Sequence, residues 1–216
     1  MTARTPVLFV SHEGTRTGAP MMLLHFLRWI RDNATIEPQI ALLRGGPMAA
    51  DFAELGPTTV LGETVDWPTP TRSEEMLARY GLRGPSRALQ KARLKSDLVD
   101  LRGARNVYLN STASIRLLHH LPRVETAIAH VHELQSAMRW SMRADDEPLL
   151  RSRVDHFVVA ADCVGANLVR NHRVAPDDIT RVYEFIDTAR VLAPARQDRD
   201  AIRAELGLGP DDLIVG

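Results

Sequence analysis

Two histidines in the stretch AHVHEL are the residues of this chain whose types and spacing bear most directly on chemistry. His130 and His132 lie two positions apart on a predicted strand, so their side chains share one face. Such a pair at a strand end can bind zinc if a third ligand is near, and His12, Asp155 and Asp187 are conceivable third ligands. None of them sits at a diagnostic spacing. The alternatives are a single functional imidazole, best placed at His132, and histidines that only form internal hydrogen bonds.

A second candidate is the loop SHEGTRTGAP, at residues 11–20, which joins an apolar run to a helix-like run. Gly14 and Gly18 allow a tight backbone path. Thr17 or Gly18 can cap the helix, and Pro20 suits its first turn. Backbone amides at the start of a helix, together with the helix dipole, favour a phosphate. The spacing is neither the dinucleotide fingerprint nor a Walker loop, so an ordinary strand-to-helix turn is the alternative.

Polar residues also follow the predicted strand RNVYLN, in the stretch NSTAS. Ser111 or Thr112 can cap the next helix, and capping alone is enough to explain them. Asn110 and Ser111 are also candidates for a contact with a sugar. His119 and His120, at the end of that helix, are explained by favourable contacts with the helix dipole.

These candidates need elements that bring them together, and the apolar pattern predicts such elements. Short, densely apolar runs alternate with helical spacing, and runs apolar on both faces are typical of a parallel sheet covered by helices on both sides. The fold class is therefore α/β, with a doubly wound, mainly parallel, Rossmann-like sheet. Ligands of such sheets gather at the carboxyl ends of the strands, so the three stretches should meet at one edge. The predicted strands are 6–11, 38–43, 58–65, 105–110, 125–132, 155–161 and 179–185, and the predicted helices include 20–32, 47–55, 112–120 and 162–172.

The stretch from residue 67 to residue 103 breaks this alternation and is predicted to be an insertion of two helices. Ser73 can cap the first helix. The separators between the helices are Gly81, Gly84 and Pro85. The segment 83–102 is the most basic of the chain, and its cations are Arg83, Arg87, Lys91, Arg93, Lys95 and Arg102. Its apolar stripe consists of Leu89, Ala92, Leu94 and Leu98. The segment is either a solvated helix packed on the domain or a surface that meets lipid or an anionic acceptor.

Composition limits the class of protein. Of the 216 residues 44% are apolar, and 27 basic residues balance 27 acidic ones, so the whole-chain charge favours neither nucleic acid nor an anionic membrane as a partner. The single cysteine excludes an internal disulfide framework, and no apolar run reaches the roughly 18 residues of a membrane span. We therefore expect a soluble cytoplasmic protein. The final residues LIVG are typical of a buried strand without a successor, which predicts a fragment cut as a second domain begins.

Taken in order, four segments resemble the N-terminal half of a family 4 glycosyltransferase with the GT-B fold. They are VLFVSHEGTRTGAPMMLLHFLRWI, AHVHEL, DHFVVAADCVGANLVRNHRVAPDDITRVYEFID and IRAELGLGPDDLIVG. The resemblance implies a Rossmann-like acceptor-side domain at 1–190, and at 191–216 a linker with the first helix and strand of a second domain. It also implies a retaining, hexosyltransferase-like enzyme that uses a nucleotide-sugar and needs no metal or other cofactor. The acceptor would be a saccharide, a lipid-linked molecule or a small molecule.

The resemblance also implies roles for individual residues. His132, followed by Glu133, matches the family's histidine near the transferring sugar and is the implied catalytic residue. Gly18 and Ala19 match a glycine-rich turn that faces the donor phosphates, and Thr17 stands where a first glycine is common. Most of the family's phosphate-binding groups belong to the second domain, so residues 1–216 alone are expected to be inactive.

Besides Thr17, the chain departs from the family at two further places, and two other function classes stay open. EFID at 184–187 replaces the usual Asn-Gly-Val-Asp turn, and alanines at 160–161 stand where a serine is typical. One alternative is a metal-dependent hydrolase that uses His130 and His132. The other is a non-catalytic binding module with the same fold. The expected location is the cytoplasm, with a peripheral contact at the inner face of the membrane through 83–102.

Overall fold

All seven predicted strands are present in the computed structural model, which describes residues 4–62, 68, 70–101, 103–186, 188–193, 198–209 and 211–213. They are β1 (Thr5–Ser11), β2 (Ile36–Leu42), β3 (Thr58–Val60), β4 (Asn106–Asn110), β5 (Thr126–Val131), β6 (His156–Val159) and β7 (Ile179–Arg181). They form one sheet in the order β3-β2-β1-β4-β5-β6-β7, and every neighbouring pair is parallel. The predicted doubly wound α/β fold is confirmed.

Of the nine α-helices in the described residues, six were predicted with somewhat different ends, and three, at 135–141, 147–152 and 188–192, were not predicted. The nine are α1 (Gly18–Asn33), α2 (Ala49–Ala53), α3 (Arg72–Arg79), α4 (Arg83–Asp97), α5 (Gln135–Ser141), α6 (Glu147–Ser152), α7 (Asp162–His172), α8 (Thr188–Leu192) and α9 (Arg199–Glu205). The helix predicted at 112–120 is a 3₁₀ helix at Thr112–His119. Strand β3 stops at Val60, and the end of its predicted range, 63–65, lies outside the described residues. Strand β7 ends at Arg181 because its partner β6 ends at the paired Val159.

The central strands β1, β2 and β4 alternate their side chains between two cores, one on each face of the sheet. In β1, Leu8 and Val10 pack in one core with Leu109 of β4, whereas Phe9 packs in the other core with Leu27 of α1. All five side chains are buried. Such strands need apolar residues at successive positions, which is why their sequences do not alternate with polar residues.

The chain changes its direction across the sheet between β1 and β4. From β1 it builds outward to β2 and β3, and it then returns to place β4 on the other side of β1. Crossovers in opposite directions leave a crevice at the carboxyl ends of the two central strands, where open α/β sheets bind their ligands. Ser11 and Asn110, the last residues of β1 and β4, are register partners at this point.

Helices α3 and α4 form the predicted insertion as a helical hairpin, with a different cap. Thr71 rather than Ser73 caps α3: the Thr71 hydroxyl accepts from the Glu74 amide, and the Glu74 carboxylate accepts from the Thr71 amide. Gly81, with a φ of 80°, is at the reversal between the helices. Residues 84–85, predicted to lie between the helices, belong to the first turn of α4, where a proline is tolerated.

Only the C-terminal part of α4 packs on the sheet. Leu94 and Leu98 are buried in the first core, but Leu89 and Ala92 are exposed, so the predicted apolar stripe is wrong in its first half. The physical reason is that the N-terminal half of α4 packs against α3 instead, for example through the hydrogen bond from Ser86 to the Glu74 backbone oxygen.

The chain divides into two compact units, Met1–Tyr183 and Glu184–Gly216. The second unit contains α8 and α9, and Asp198 caps α9 through its side chain. Most of the predicted strand LIVG, at 214–216, lies outside the described residues. Among the helices that the structure describes, none is both long and apolar enough to cross a membrane.

Candidate functional site

The three polar stretches identified in the sequence converge at the carboxyl ends of β1, β4 and β5. Asn110 connects them: its amide nitrogen donates to the Ala19 backbone oxygen in α1 (2.8 Å), and its side-chain oxygen is 3.1 Å from Nε2 of His132. Beside it, the Thr112 amide donates to the Glu133 carboxylate (3.4 Å). The loop after β1, the start of the 3₁₀ helix and the end of β5 therefore form one connected polar group.

The hydrogen bonds of Asn110 define the tautomer of the neutral His132 ring. A backbone carbonyl only accepts, so the Asn110 group that meets Ala19 is the NH₂ group, and the Asn110 oxygen then faces His132. An amide oxygen also only accepts, so Nε2 of His132 carries the proton and Nδ1 has the lone pair. The imidazole is therefore oriented by β4 and α1, not only by its own strand.

Glu133 and Ser111 have structural roles at this edge. The Glu133 carboxylate accepts from the His132 amide (3.1 Å) as well as from Thr112, which ties the end of β5 to the 3₁₀ helix. Ser111 caps that helix, as predicted, by accepting from the Ala113 amide (3.2 Å). Ser111 is 1% exposed, so its hydroxyl is used inside the protein.

Glu13, at the second position after β1, carries a buried carboxylate. It is 7% exposed and accepts from Thr17 (2.9 Å), from Thr15 and from the Arg44 guanidinium after β2. Burial acts to raise the pKa of Glu13, but the hydrogen bonds from Thr15, Thr17 and Arg44 and the charge interaction with His12 outweigh it, so the pKa is lowered. The carboxylate therefore stays ionised and holds the loop after β1 against β2.

Helix α1 begins without a side-chain cap because Thr17 uses its hydroxyl as a donor to Glu13. Thr17 is the N-cap residue, Gly18 and Ala19 follow it, and the first turn contains no acidic residue. A Cβ atom added at Gly18 would meet no atom within 4 Å. The first amides of α1 are thus open to approach, and the helix dipole favours an anion there.

Close backbone packing holds this loop in place. A Cβ atom added at Gly46 would lie 2.4 Å from the Gly14 backbone oxygen. Gly14 donates to the Arg44 backbone oxygen (3.0 Å) and accepts from the Met48 amide (2.9 Å). The loops after β1 and β2 therefore pack backbone to backbone, which only a glycine at position 46 allows.

His130 lies beside His132 and is almost entirely buried. It is 9% exposed, its Nδ1 is 2.7 Å from the Tyr108 hydroxyl, and its ring centroid is 4.1 Å from that of His132. Burial, with the neighbouring His132 as a second cause, lowers the pKa of His130 to about 3. The His130 ring is therefore neutral at neutral pH.

His12 adds a third imidazole to this edge. Burial lowers the pKa of His12, against the opposing effects of nearby carboxylates, of which Glu13 is the first. Within the described ranges, Nδ1 of His12 and Nε2 of His130 are buried without a hydrogen-bond partner. Buried polar nitrogens without a partner destabilise a fold, so burying these two imidazoles costs folding free energy.

The arrangement does not favour the zinc site considered from the sequence. Among the described residues, the ligand atoms of His130 and His132 do not gather with a third His, Cys, Asp or Glu closely enough to hold a metal. Asp155 was a wrong candidate for the third ligand: it accepts from the amide at the start of β5 (2.7 Å), at the opposite edge of the sheet. His12 does lie at the same edge as the pair, and Asp187 lies outside the described residues.

A different group could hold a metal by its ligand atoms. His119, Asp145 and Asp146 are the one such group found in the described part of the chain, and they include none of the site histidines. Asp146 is 3.1 Å from Nε2 of His119 and 3.8 Å from Arg116. The interaction of His119 with a buried aspartate explains its position better than the predicted contact with the helix dipole.

Sequence reasoning missed Glu13, Arg44 and Tyr108 as members of the site. A signal for two of them was available, because Glu13 follows the first predicted strand and Arg44 follows the second. Adjacent parallel strands bring such ends together, so the opposite charges could have been paired. Tyr108 has no such signal, since it lies in an apolar strand.

Two surface clefts of about 340 and 350 Å³ lie elsewhere, on the helices that follow β5 and β6. They share Ala144, Glu147 and His172, and neither is lined by the strand-end residues. We locate the candidate site at the strand ends rather than in the clefts because the buried polar network converges there.

The fold resembles known structures, whereas no protein-family model matches the sequence and a search of curated proteins gives no match. HepE of Anabaena, solved with UDP and glucose, matches with a TM-score of 0.62 and 11% identity, over 94% of this chain and 50% of that chain. Its UDP-glucose complex matches with a TM-score of 0.62 and 10% identity, over the same shares. A Rickettsia africae glycosyltransferase matches with a TM-score of 0.53 and 10% identity, over 97% and 51%. The chain spans about half the length of these proteins, and the likeness concerns the fold.

Proposed function

We propose that this chain is the acceptor-side half of a glycosyltransferase that transfers a hexose from a nucleotide-sugar donor. The proposal gives it the GT-B architecture of family 4, with residues 1–190 as the first Rossmann-like domain and 191–216 leading into the second. It is supported by the fold shared with HepE, which was solved with UDP and with UDP-glucose, and with the Rickettsia africae glycosyltransferase. Because the chain spans about half of those proteins, the proposed activity requires the second domain.

The observation that carries the proposal is the bridge that Asn110 makes between an imidazole and the start of α1. Transfer from a nucleotide-sugar needs a group that stabilises the departing diphosphate and a group beside the reacting sugar. The open amides of Gly18 and Ala19 favour an anion. His132 is held at the same edge through the Asn110 side chain, which bonds both elements.

In the proposed mechanism, the bond between the anomeric carbon and the diphosphate oxygen breaks while the acceptor oxygen bonds to that carbon. Negative charge develops on the diphosphate, which takes up the acceptor's proton as it leaves. The N-terminal amides of α1 stabilise that charge, and the second domain supplies cations. The imidazole of His132 contacts the reacting sugar. The reaction retains the anomeric configuration and uses no metal or other cofactor.

The other predicted site residues then have supporting roles. Asn110, Ser111 and Glu133 use their polar atoms within the protein, so we assign them the positioning of His132 and of the strand ends. Thr17 lies at the approach to the donor, with its hydroxyl oriented by Glu13. The acceptor is a saccharide, a lipid-linked molecule or a small molecule, and the proposed location is the cytoplasm.

The alternatives have less support. A metal-dependent hydrolase at His130 and His132 lacks a suitable third ligand among the described residues. A non-catalytic module would have the same sheet but would not transfer a sugar, so an activity assay is needed to distinguish the two.

The test is transfer by the full-length protein, second domain included, against a panel of nucleotide-sugars. His132→Ala should lower kcat by about 10²–10⁴-fold, far more than the about 1 kcal/mol of folding free energy that the lost hydrogen bond to Asn110 accounts for. His156→Ala is the matched control, because His156 begins β6 at the opposite edge, where it contacts Thr180 (2.8 Å). Equal activity of the two variants would remove His132 from the site.

Two further outcomes decide the remaining parts of the proposal. Residues 1–216 alone should show no turnover, and measurable transfer by this chain would contradict the need for a second domain. Failure of the full-length protein to transfer from any donor, combined with normal ligand binding, would favour the non-catalytic module.

A further inference from the structure

The hairpin of α3 and α4 concentrates positive charge in a chain that is neutral as a whole. Residues 72–97 contain seven lysines and arginines and three aspartates and glutamates, whereas the whole chain has 27 of each kind. Arg102, which completes the predicted basic segment, lies outside the described residues. The surplus is therefore local, and it lies on one element.

Four of these cations form a row along α4. Arg83, Arg87, Lys91 and Lys95, called the basic row below, follow one another at four-residue intervals and are all exposed. None of them forms an ion pair with a side chain that the structure describes. Like charges four residues apart repel each other and weaken a helix. The basic row is thus unfavourable for α4 by itself, and an anionic partner would compensate for it.

The tip of the hairpin adds exposed apolar side chains beside the row. Met76, Tyr80 and Leu82 are 56%, 76% and 49% exposed and lie within two helical turns of the reversal at Gly81. From Leu82 to the buried Leu94, α4 rises about 18 Å at 1.5 Å per residue. The tip is therefore well separated from the part of α4 that packs on the sheet.

The hairpin does not need the basic row or the tip for its own stability. Both carboxylate oxygens of the buried Glu74 accept from Arg93 (3.0 and 3.3 Å), and Ser86 donates to the Glu74 backbone oxygen (2.7 Å). Together with the capping box of Thr71, these inner contacts join α3 to α4. The outer residues are free to serve another surface.

We propose that this hairpin docks on an anionic lipid bilayer, with Tyr80, Met76 and Leu82 in the headgroup region and the basic row against anionic headgroups. The pairing of exposed apolar side chains with flanking cations is what an interfacial helix needs. A nucleic acid would contact only the cations, so it would not explain the exposed apolar side chains at the tip. The proposal does not depend on the transferase activity, since it concerns a separate element.

The experiment is co-sedimentation of the 216-residue chain with vesicles of phosphatidylglycerol and phosphatidylcholine. The chain should bind these vesicles, bind phosphatidylcholine vesicles far less, and release at high salt. Arg87→Gln with Lys91→Gln should weaken binding about 25-fold, because each cation near an anionic surface contributes about fivefold. Tyr80→Ser should weaken binding by about tenfold through loss of apolar burial.

The matched control is Arg151→Gln with Arg170→Gln, which removes the same charge from exposed sites on α6 and α7. This pair should bind like the unaltered chain, and circular dichroism should show that all variants are folded. The proposal is overturned if the chain ignores anionic vesicles, or if the control pair loses as much binding as the row variant. Row-dependent binding to heparin without binding to vesicles would assign the surface to a soluble polyanion instead.

Discussion

The neutral, buried imidazole of His130 should make this protein lose stability in acid. The pKa of His130 is about 3 in the folded chain. An unfolded chain exposes the ring at its ordinary pKa of about 6.5. Between these values the unfolded state binds a proton that the folded state does not, so stability falls as the pH falls. From about pH 7 to about pH 5, this single group should remove about 2 kcal/mol of the free energy of unfolding.

Replacing the ring isolates this contribution. From about pH 7 to about pH 5, the free energy of unfolding of His130→Phe, measured in urea, should fall by about 2 kcal/mol less than that of the unaltered chain. The lost hydrogen bond to Tyr108 shifts both measurements equally and cancels from the difference. Other histidines, such as His12, also cancel because both proteins contain them.

Tyr108→Phe is the matched control, since it removes the hydroxyl partner but keeps the imidazole buried. It should lower stability at both pH values and retain the steep acid dependence. If His130→Phe and the unaltered chain show the same change between the two pH values, the ring is not buried in the neutral form, and the reasoning about this strand end is wrong.

Other predictions test the remaining packing and geometry. Gly46→Ala should cost about 2 kcal/mol of folding free energy, because its Cβ meets backbone, whereas Gly18→Ala should stay within about 0.5 kcal/mol; urea unfolding compares them. Asn110→Ala should abolish the single Nε2–H tautomer of His132, and Asn110→Asp should keep it, as read from long-range ¹⁵N NMR correlations. Arg93→Ala should destabilise the chain by about 3 kcal/mol at neutral pH, since it leaves a buried carboxylate unpaired, and thermal unfolding would show this.

Local patterns were sufficient to predict most of the fold. Dense apolar runs such as PVLFVS lie in the middle of the sheet because only a strand buried on both faces needs them. The glycine-rich and polar residues between these runs form the loops that connect the elements. Ends were predicted less well. The strand predicted at 179–185 stops at Arg181 because its partner strand stops, which depends on pairing rather than on its own residues.

For the candidate site, the general rule that parallel strands end at one edge correctly predicted that the three polar stretches meet there. It could not pair individual atoms. The bond from Asn110 to Ala19 joins residues 91 positions apart, and the contact of His132 with Asn110 joins residues 22 apart. Such pairs follow from the register of β1, β4 and β5, and no spacing in the sequence encodes a register between strands.

The amino-acid pattern was sufficient to predict the fold class, the number of strands and the edge at which polar side chains collect, because apolar periodicity and strand-end composition are local properties. The contact of Glu13 with Arg44, the position of Asp155 at the far edge and the exposure of Leu89 in α4 became evident only in the folded chain. Those outcomes depend on how distant segments pack, and burial and pKa are properties of that packing rather than of any one residue.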